Sequence, residues 1–139
     1  RSSDLGLNLP EADRLRLVDS MEKYLPHGAY LRVNLKPRHW LTYGVDDRIP
    51  ALFREKDALI TVPGDATELA GRYARPRELM MSGLVWPEAV GYIAGTSYLV
   101  EEDLGRGQVI TFANDPTFRG YSLGTTRLFL NAVALAGSY

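Results

Sequence analysis

The chain carries two histidines, His27 and His39, and no cysteine. A catalytic zinc needs about three protein ligands, often presented as His-x-x-Glu or His-Glu-x-x-His. Neither histidine stands in such a spacing. His27, between Pro26 and Gly28, reads as part of a solvated turn. His39, beside Trp40 in a proline-bounded loop, reads as a packed or capping ring. The missing cysteines exclude disulfides, thiolate metal sites and a Cys nucleophile within these residues. Ser82–Gly83 lacks the Gly-x-Ser-x-Gly frame that presents a reactive serine, and two isolated histidines supply no ordered base. "GRG" at 105–107 joins two strand-like runs and opens no helix, so it is a hairpin turn and not a phosphate loop. Asp46–Asp47 has no EF-hand frame around it. Arg72, Arg75 and Arg77, with Tyr73, form a local basic cluster that could meet an acidic partner or a nucleic acid; a solvated face or intramolecular ion pairs is the preferred reading.

The stretch "FANDPTFRGYSLGTTRLFLNAV" (112–133) is the remaining candidate. If "QVITFA" before it is a parallel, central strand, then Asn114, Asp115 and Arg119 lie at its carboxyl end, where open α/β sheets bind ligands. Arg119 would contact a carboxylate or other anion there. The competing reading is structural. Asn114 and Asp115 bond local backbone, Pro116 sets the turn and Phe118 packs beneath it. The structural corner is the preferred reading and the ligand contact the second. His39 and Trp40 form the other speculative ligand surface, with Tyr43 beside them.

The elements that must position these residues follow from periodicity. "LPEADRLRLVDSMEKYLP" (9–26) repeats Leu15, Val18, Met21 and Leu25 at helical spacing. "AYLRVNL" (29–35) alternates as a half-buried strand. "KPRHWLTYGVDDRIP" is loop-like, and "ALF" and "ALITV" are short strands followed by a "PGD" turn. An extended or helical piece near Leu69–Tyr73, a strand near Leu79–Ser82 and a short helix in "WPEAVGYIAG" come next. A β-hairpin is expected near 97–113 around "DLGRG". "QVITFA" reads as a strand covered on both faces. A helix over about Leu123–Ala136, apolar around much of its circumference, should lie buried against the sheet. The 139 residues suit one α/β domain. Hydrophobic residues make up 45% and the net charge is −1, which leaves no general drive toward nucleic acid or anionic lipid. No apolar run is long enough to span a bilayer, and no basic-then-apolar leader opens the chain. Arg1 in place of Met leads to the expectation of a piece that is processed or cut from a longer polypeptide.

"HWLTYG" (39–44), "GRYA" (71–74), "SG" (82–83) and "IAGTSYLVEEDLGRGQVITFANDPTFRGYSLGTTRLFLNA" (93–132) resemble a C-terminal region of bacterial zinc carboxypeptidase-like proteins of the carboxypeptidase A type. In these a metallopeptidase domain precedes one similar to class I glutamine amidotransferases. The likeness extends from about Arg32 onward and is most specific in "GRGQVITFANDPTFRG" and "GTTRLFLNA". It implies a flavodoxin-like, class I glutamine amidotransferase-like three-layer fold, whole or trailing part. It also implies a non-catalytic accessory role, an upstream peptidase domain as partner, peptide as substrate of the whole, and an exported location. Zinc would belong to the upstream domain and no cofactor to this segment. Neither the peptidase motif nor an amidotransferase Cys is present, so no catalytic residue carries over. The alternative is a free-standing module for a small anion, sugar or peptide, with Trp40, Tyr43 and Arg119 as contacts. The apolar last helix leads to the expectation of self-association.

Overall fold

The computed structural model describes residues 24–54 and 67–138. Residues 9–23 of the expected first helix, the "ALITV" strand and the "PGD" turn lie outside them. The described elements are β1 (Ala29–Leu35), β2 (Arg48–Phe53), β3 (Thr67–Tyr73), α1 (Pro76–Leu79), β4 (Met80–Ser82), α2 (Pro87–Ile93), β5 (Ser97–Leu104), β6 (Gly107–Phe112) and α3 (Leu123–Leu135). One-turn 3-10 segments stand at Trp40–Thr42, Phe118–Gly120 and Ala136–Ser138.

The strands form one sheet in the order β2-β1-β3-β5-β6, with β4 paired to β1. Every pairing in it is antiparallel. This corrects the flavodoxin-like expectation, which requires parallel strands joined by helical crossovers. The hairpin shows why the chain builds otherwise. β5 and β6 pair through Leu104↔Gly107, leaving a turn of two residues. Gly105 takes φ +62 at its first central position, the place for which a type II′ turn selects glycine. A two-residue turn can only reverse the chain into an antiparallel neighbour.

β1 alternates as expected. Ala29, Leu31, Val33 and Leu35 are buried, while Tyr30, Arg32 and Asn34 on the other face are half-buried. An inner strand with one half-open face carrying Arg32 does not match the enclosed middle sheet of a three-layer sandwich. β2 begins at Arg48 inside the expected loop and includes Pro50 opposite Arg32. Among the described residues it is the edge of the sheet, the kind of strand that tolerates a missing N–H.

Two further corrections concern the C-terminal third. β6 was expected to be covered on both faces, yet it is the opposite edge strand and alternates exposed with half-buried residues. Its valine, isoleucine and threonine express β propensity, which an edge strand satisfies as well as a central one. α3 was expected to be buried. Only Thr125, Leu128, Asn131 and Ala132 are, at i, i+3, i+6 and i+7, and this stripe packs on the Trp40–Thr42 turn and β2. Leu123, Leu130 and Val133 are 84%, 53% and 68% exposed.

The core gathers Leu31, Val33, Phe53, Tyr73, Tyr98, Leu99 and Leu128 with their neighbours. Through it runs a chain of ring contacts. Phe53–Tyr73, Tyr73–Tyr98, Tyr98–Phe112 and Phe112–Phe129 have centroids 6.1, 5.5, 6.4 and 6.4 Å apart. The first three meet edge to face, the arrangement the ring quadrupole favours. This ties edge strand β2 to edge strand β6 and to α3.

Candidate functional site

The β3–β5 register places Glu68 directly opposite Glu101. Like charges facing across a ladder are destabilising unless neighbours absorb the repulsion. Here the loop after β1 does so. His39 sits between the two carboxylates, its Nε2 3.3 Å from Glu68 Oε1 and 3.3 Å from Glu101 Oε2. Its Nδ1 accepts the backbone N–H of Leu41 at 3.2 Å. In the neutral ring this leaves the proton on Nε2, facing both acids. Trp40 Nε1 donates to Glu101 Oε2 at 2.9 Å, and the Lys36 ammonium pairs with Glu68. Lys36 chiefly, by its hydrogen bond, holds the Glu68 carboxyl below the ordinary glutamate range, and His39 adds to the effect.

The sequence builds this loop locally. His39 is the extended residue before the Trp40–Thr42 turn, and its side chain caps the turn. The Thr42 hydroxyl donates to the carbonyls of Lys36 and His39, at 2.9 and 3.0 Å. Buried Asn131 of α3 then donates from Nδ2 to Leu41 O at 2.9 Å and Tyr43 O at 2.8 Å. The C-terminal helix thereby holds the loop against the sheet. Beside the cluster opens a cavity of about 700 Å³, lined among others by Arg38, His39, Trp40, Tyr43, Glu68 and Leu135. Arg38 holds φ +60, a left-handed backbone that costs a non-glycine residue energy.

The Asn114–Arg119 turn lies at the other end of the sheet. Leu52, which receives Asn114, pairs with Tyr30 near the start of β1, whereas the His39 loop follows the end of β1. The seven residues of β1 separate them by roughly 20 Å. The two sets of sequence-derived residues therefore do not form one site. Buried Asn114 is a clamp. Its Nδ2 donates to Leu52 O at 2.7 Å, and its Oδ1 accepts the Tyr98 hydroxyl at 3.1 Å. Asp115 accepts the Thr117 N–H and hydroxyl, both at 2.9 Å. These bonds, the backbone one first, lower its carboxyl below the usual aspartate range. Arg119, exposed at φ +48, lies 5.2 Å from the Phe118 ring centroid, and Arg54 stacks on that ring at 4.0 Å. Phe118 and Arg54 border a second cavity of about 480 Å³ with Tyr30 and Tyr121. Because β6 is an antiparallel edge, the rule that placed a ligand at a parallel strand's carboxyl end does not reach this turn.

Sequence reasoning singled out His39 and Trp40 but missed Glu68, Glu101, Lys36 and Arg38. At the cluster His39 Nδ1 accepts from Leu41, Glu68 Oε1 pairs with Lys36 and Glu101 Oε2 accepts from Trp40. Among the described residues no group of three His, Asp or Glu is arranged to hold a metal. Arg72, Arg75 and Arg77 are all exposed. Among the described residues no helix is long and apolar enough to cross a membrane. No protein-family model, curated protein or solved structure matches the chain.

Proposed function

We propose that the chain is a non-catalytic accessory domain of an exported zinc-dependent carboxypeptidase, bracing the catalytic domain and helping to position peptide substrate. The resemblance over 93–132 motivates this reading, and one structural observation supports it. The outer face of α3 leaves Leu123, Leu130 and Val133 largely in solvent, in a helix whose inner stripe already fills the core. Contiguous apolar surface of this kind suits a neighbouring domain better than water. The reading does not rest on a flavodoxin-like layout, and it places no zinc in this segment. The experiment is intact mass and peptide sequencing of the native polypeptide upstream of Arg1, with zinc analysis. A longer, zinc-containing chain with His-x-x-Glu and a later histidine is expected. A mature chain beginning near Arg1 would remove the peptidase reading. A free-standing binding module would then lead, favoured by the cavity beside Trp40 and Tyr43.

A further inference from the structure

Two local rules are broken around one cavity. Glu68 and Glu101 oppose like charges across β3 and β5, and Arg38 holds a left-handed backbone. The left-handed backbone costs stability, the opposed carboxylates depend on partners from the loop, and departures of this kind concentrate where a site needs particular groups in particular places. His39, Lys36 and Trp40 satisfy the inner part of the cluster, through Glu68 Oε1 and Glu101 Oε2. The Glu68 side chain is still 47% exposed and lines the cavity. Its second oxygen makes no hydrogen bond with a described residue. Arg38 lines the same cavity, exposed, and forms no ion pair with a described residue. Trp40 and Tyr43, the latter 70% exposed, line the same cavity, with Val45 and Leu135 as apolar lining. The volume, about 700 Å³, falls in the range of small-molecule sites.

We infer that this cavity binds a small zwitterion, a free amino acid or a short peptide, with its carboxylate on Arg38, its ammonium on Glu68 and its apolar side chain against Trp40 and Tyr43. A guanidinium takes a carboxylate through paired N–H donors, and an ammonium takes the open lone pairs of a carboxylate. Neither group alone selects such a ligand. An anion meets Glu68, a cation meets Arg38, and only a molecule carrying both charges satisfies the pair. The proposal stands on the cavity itself and holds whether or not a peptidase domain precedes it.

The test uses tryptophan fluorescence. The chain has two tryptophans, so Trp86→Phe leaves Trp40 as sole reporter. Leucine, leucyl-leucine and trileucine are titrated beside N-acetyl-leucine, which lacks the ammonium, and leucinamide, which lacks the carboxylate. Saturable quenching by at least one zwitterion is expected. The blocked forms should bind about tenfold or more weakly, the worth of one charge-assisted hydrogen bond. The best length separates a free amino acid from a peptide. Arg38→Gly should lose the preference for a free carboxylate without lowering Tm, since glycine takes φ +60 freely. Tyr43→Ala should weaken binding with the fold intact. No saturable response to any zwitterion up to about 10 mM, a ceiling that admits even weak specific binding, overturns the proposal. So does equal binding of the blocked forms, or unchanged carboxylate preference in Arg38→Gly. The upstream sequence of the native polypeptide decides the accessory reading separately.

Discussion

Asn131→Ala should be among the most damaging single changes in the chain, although Asn131 touches no charged group of the cluster. Its side chain is 4% exposed and supplies both hydrogen bonds that tie the Leu41 and Tyr43 carbonyls to α3. Each bond contributes about 1 kcal/mol net, and a buried carbonyl left without a donor costs roughly 1–3 kcal/mol more. Leu41 is buried, whereas Tyr43 is exposed and its carbonyl can turn to water, so the second penalty applies once. The expected loss is about 3–5 kcal/mol. For a chain of this length that lowers Tm by roughly 9–15 °C. Urea unfolding followed by circular dichroism measures it. Asn131→Asp sharpens the test. The new carboxylate would face two carbonyl oxygens with no proton to give, so its folded pKa must rise above the unfolded value. A raised carboxyl favours the fold below the unfolded pKa, and that contribution disappears as pH rises through the folded pKa. The Asp variant should therefore be the weaker of the two at pH 7 and recover part of the deficit near pH 4. A loss under about 0.5 kcal/mol in Asn131→Ala, the size of an ordinary surface change, would refute the clamp. The same would follow from an Asp variant whose deficit relative to Ala is independent of pH.

Gly83 holds φ +93, and an added Cβ would lie 2.9 Å from the Ala29 Cα, so Gly83→Ala should cost about 1–3 kcal/mol in denaturant unfolding. Asp115 has a lowered folded pKa, so its contribution is present above the ordinary aspartate pKa of about 4 and fades as pH falls through the folded value. Asp115→Asn should accordingly lower stability at neutral pH, leave the acid end nearly unchanged and so flatten the acid limb of the stability–pH curve. Leu130→Lys with Val133→Lys changes two largely exposed positions, 53% and 68% accessible. Sedimentation should show the parent chain self-associating and the double variant monomeric, with stability altered by no more than about 0.5 kcal/mol per site. A parent chain that stays monomeric over a wide concentration range would count against α3 as a covering surface.

Much of the secondary structure is legible where one local rule decides it. β1 follows from strict alternation, the β5–β6 turn from Gly105, α2 from Pro87 in its first turn, and α3 from its length and spacing. Burial is less legible. "QVITF" has the composition of an inner strand and lies at the sheet edge, because β-branched content reports backbone preference and not the number of neighbours. The leucine, phenylalanine and valine of α3 outnumber the positions its inner stripe can bury, so hydrophobicity overstates its depth.

The cluster was half visible for a physical reason. His39 and Trp40 are adjacent in a short proline-bounded loop, and residues of their type attract attention wherever they stand. Glu68 and Glu101 are 33 positions apart, and each taken alone is an ordinary strand acid. Only the ladder register makes them a pair, and a slip of one residue would turn either side chain to the opposite face. Bulges on both sides of Gly71 make that register harder still to derive by counting. Yet the sequence holds one usable trace of the pairing. A lysine, an arginine, a histidine and a tryptophan lie within five residues, Lys36 to Trp40, and so place three basic side chains and an indole N–H on one short loop. Of these four donors only the buried His39 and the half-buried Trp40 must find acceptors within the fold. Lys36, His39 and Trp40 find theirs in the two opposed carboxylates, and Arg38, the fourth donor, turns into the cavity with none among the described residues. That donor, beside the cavity, is the feature on which the zwitterion proposal rests.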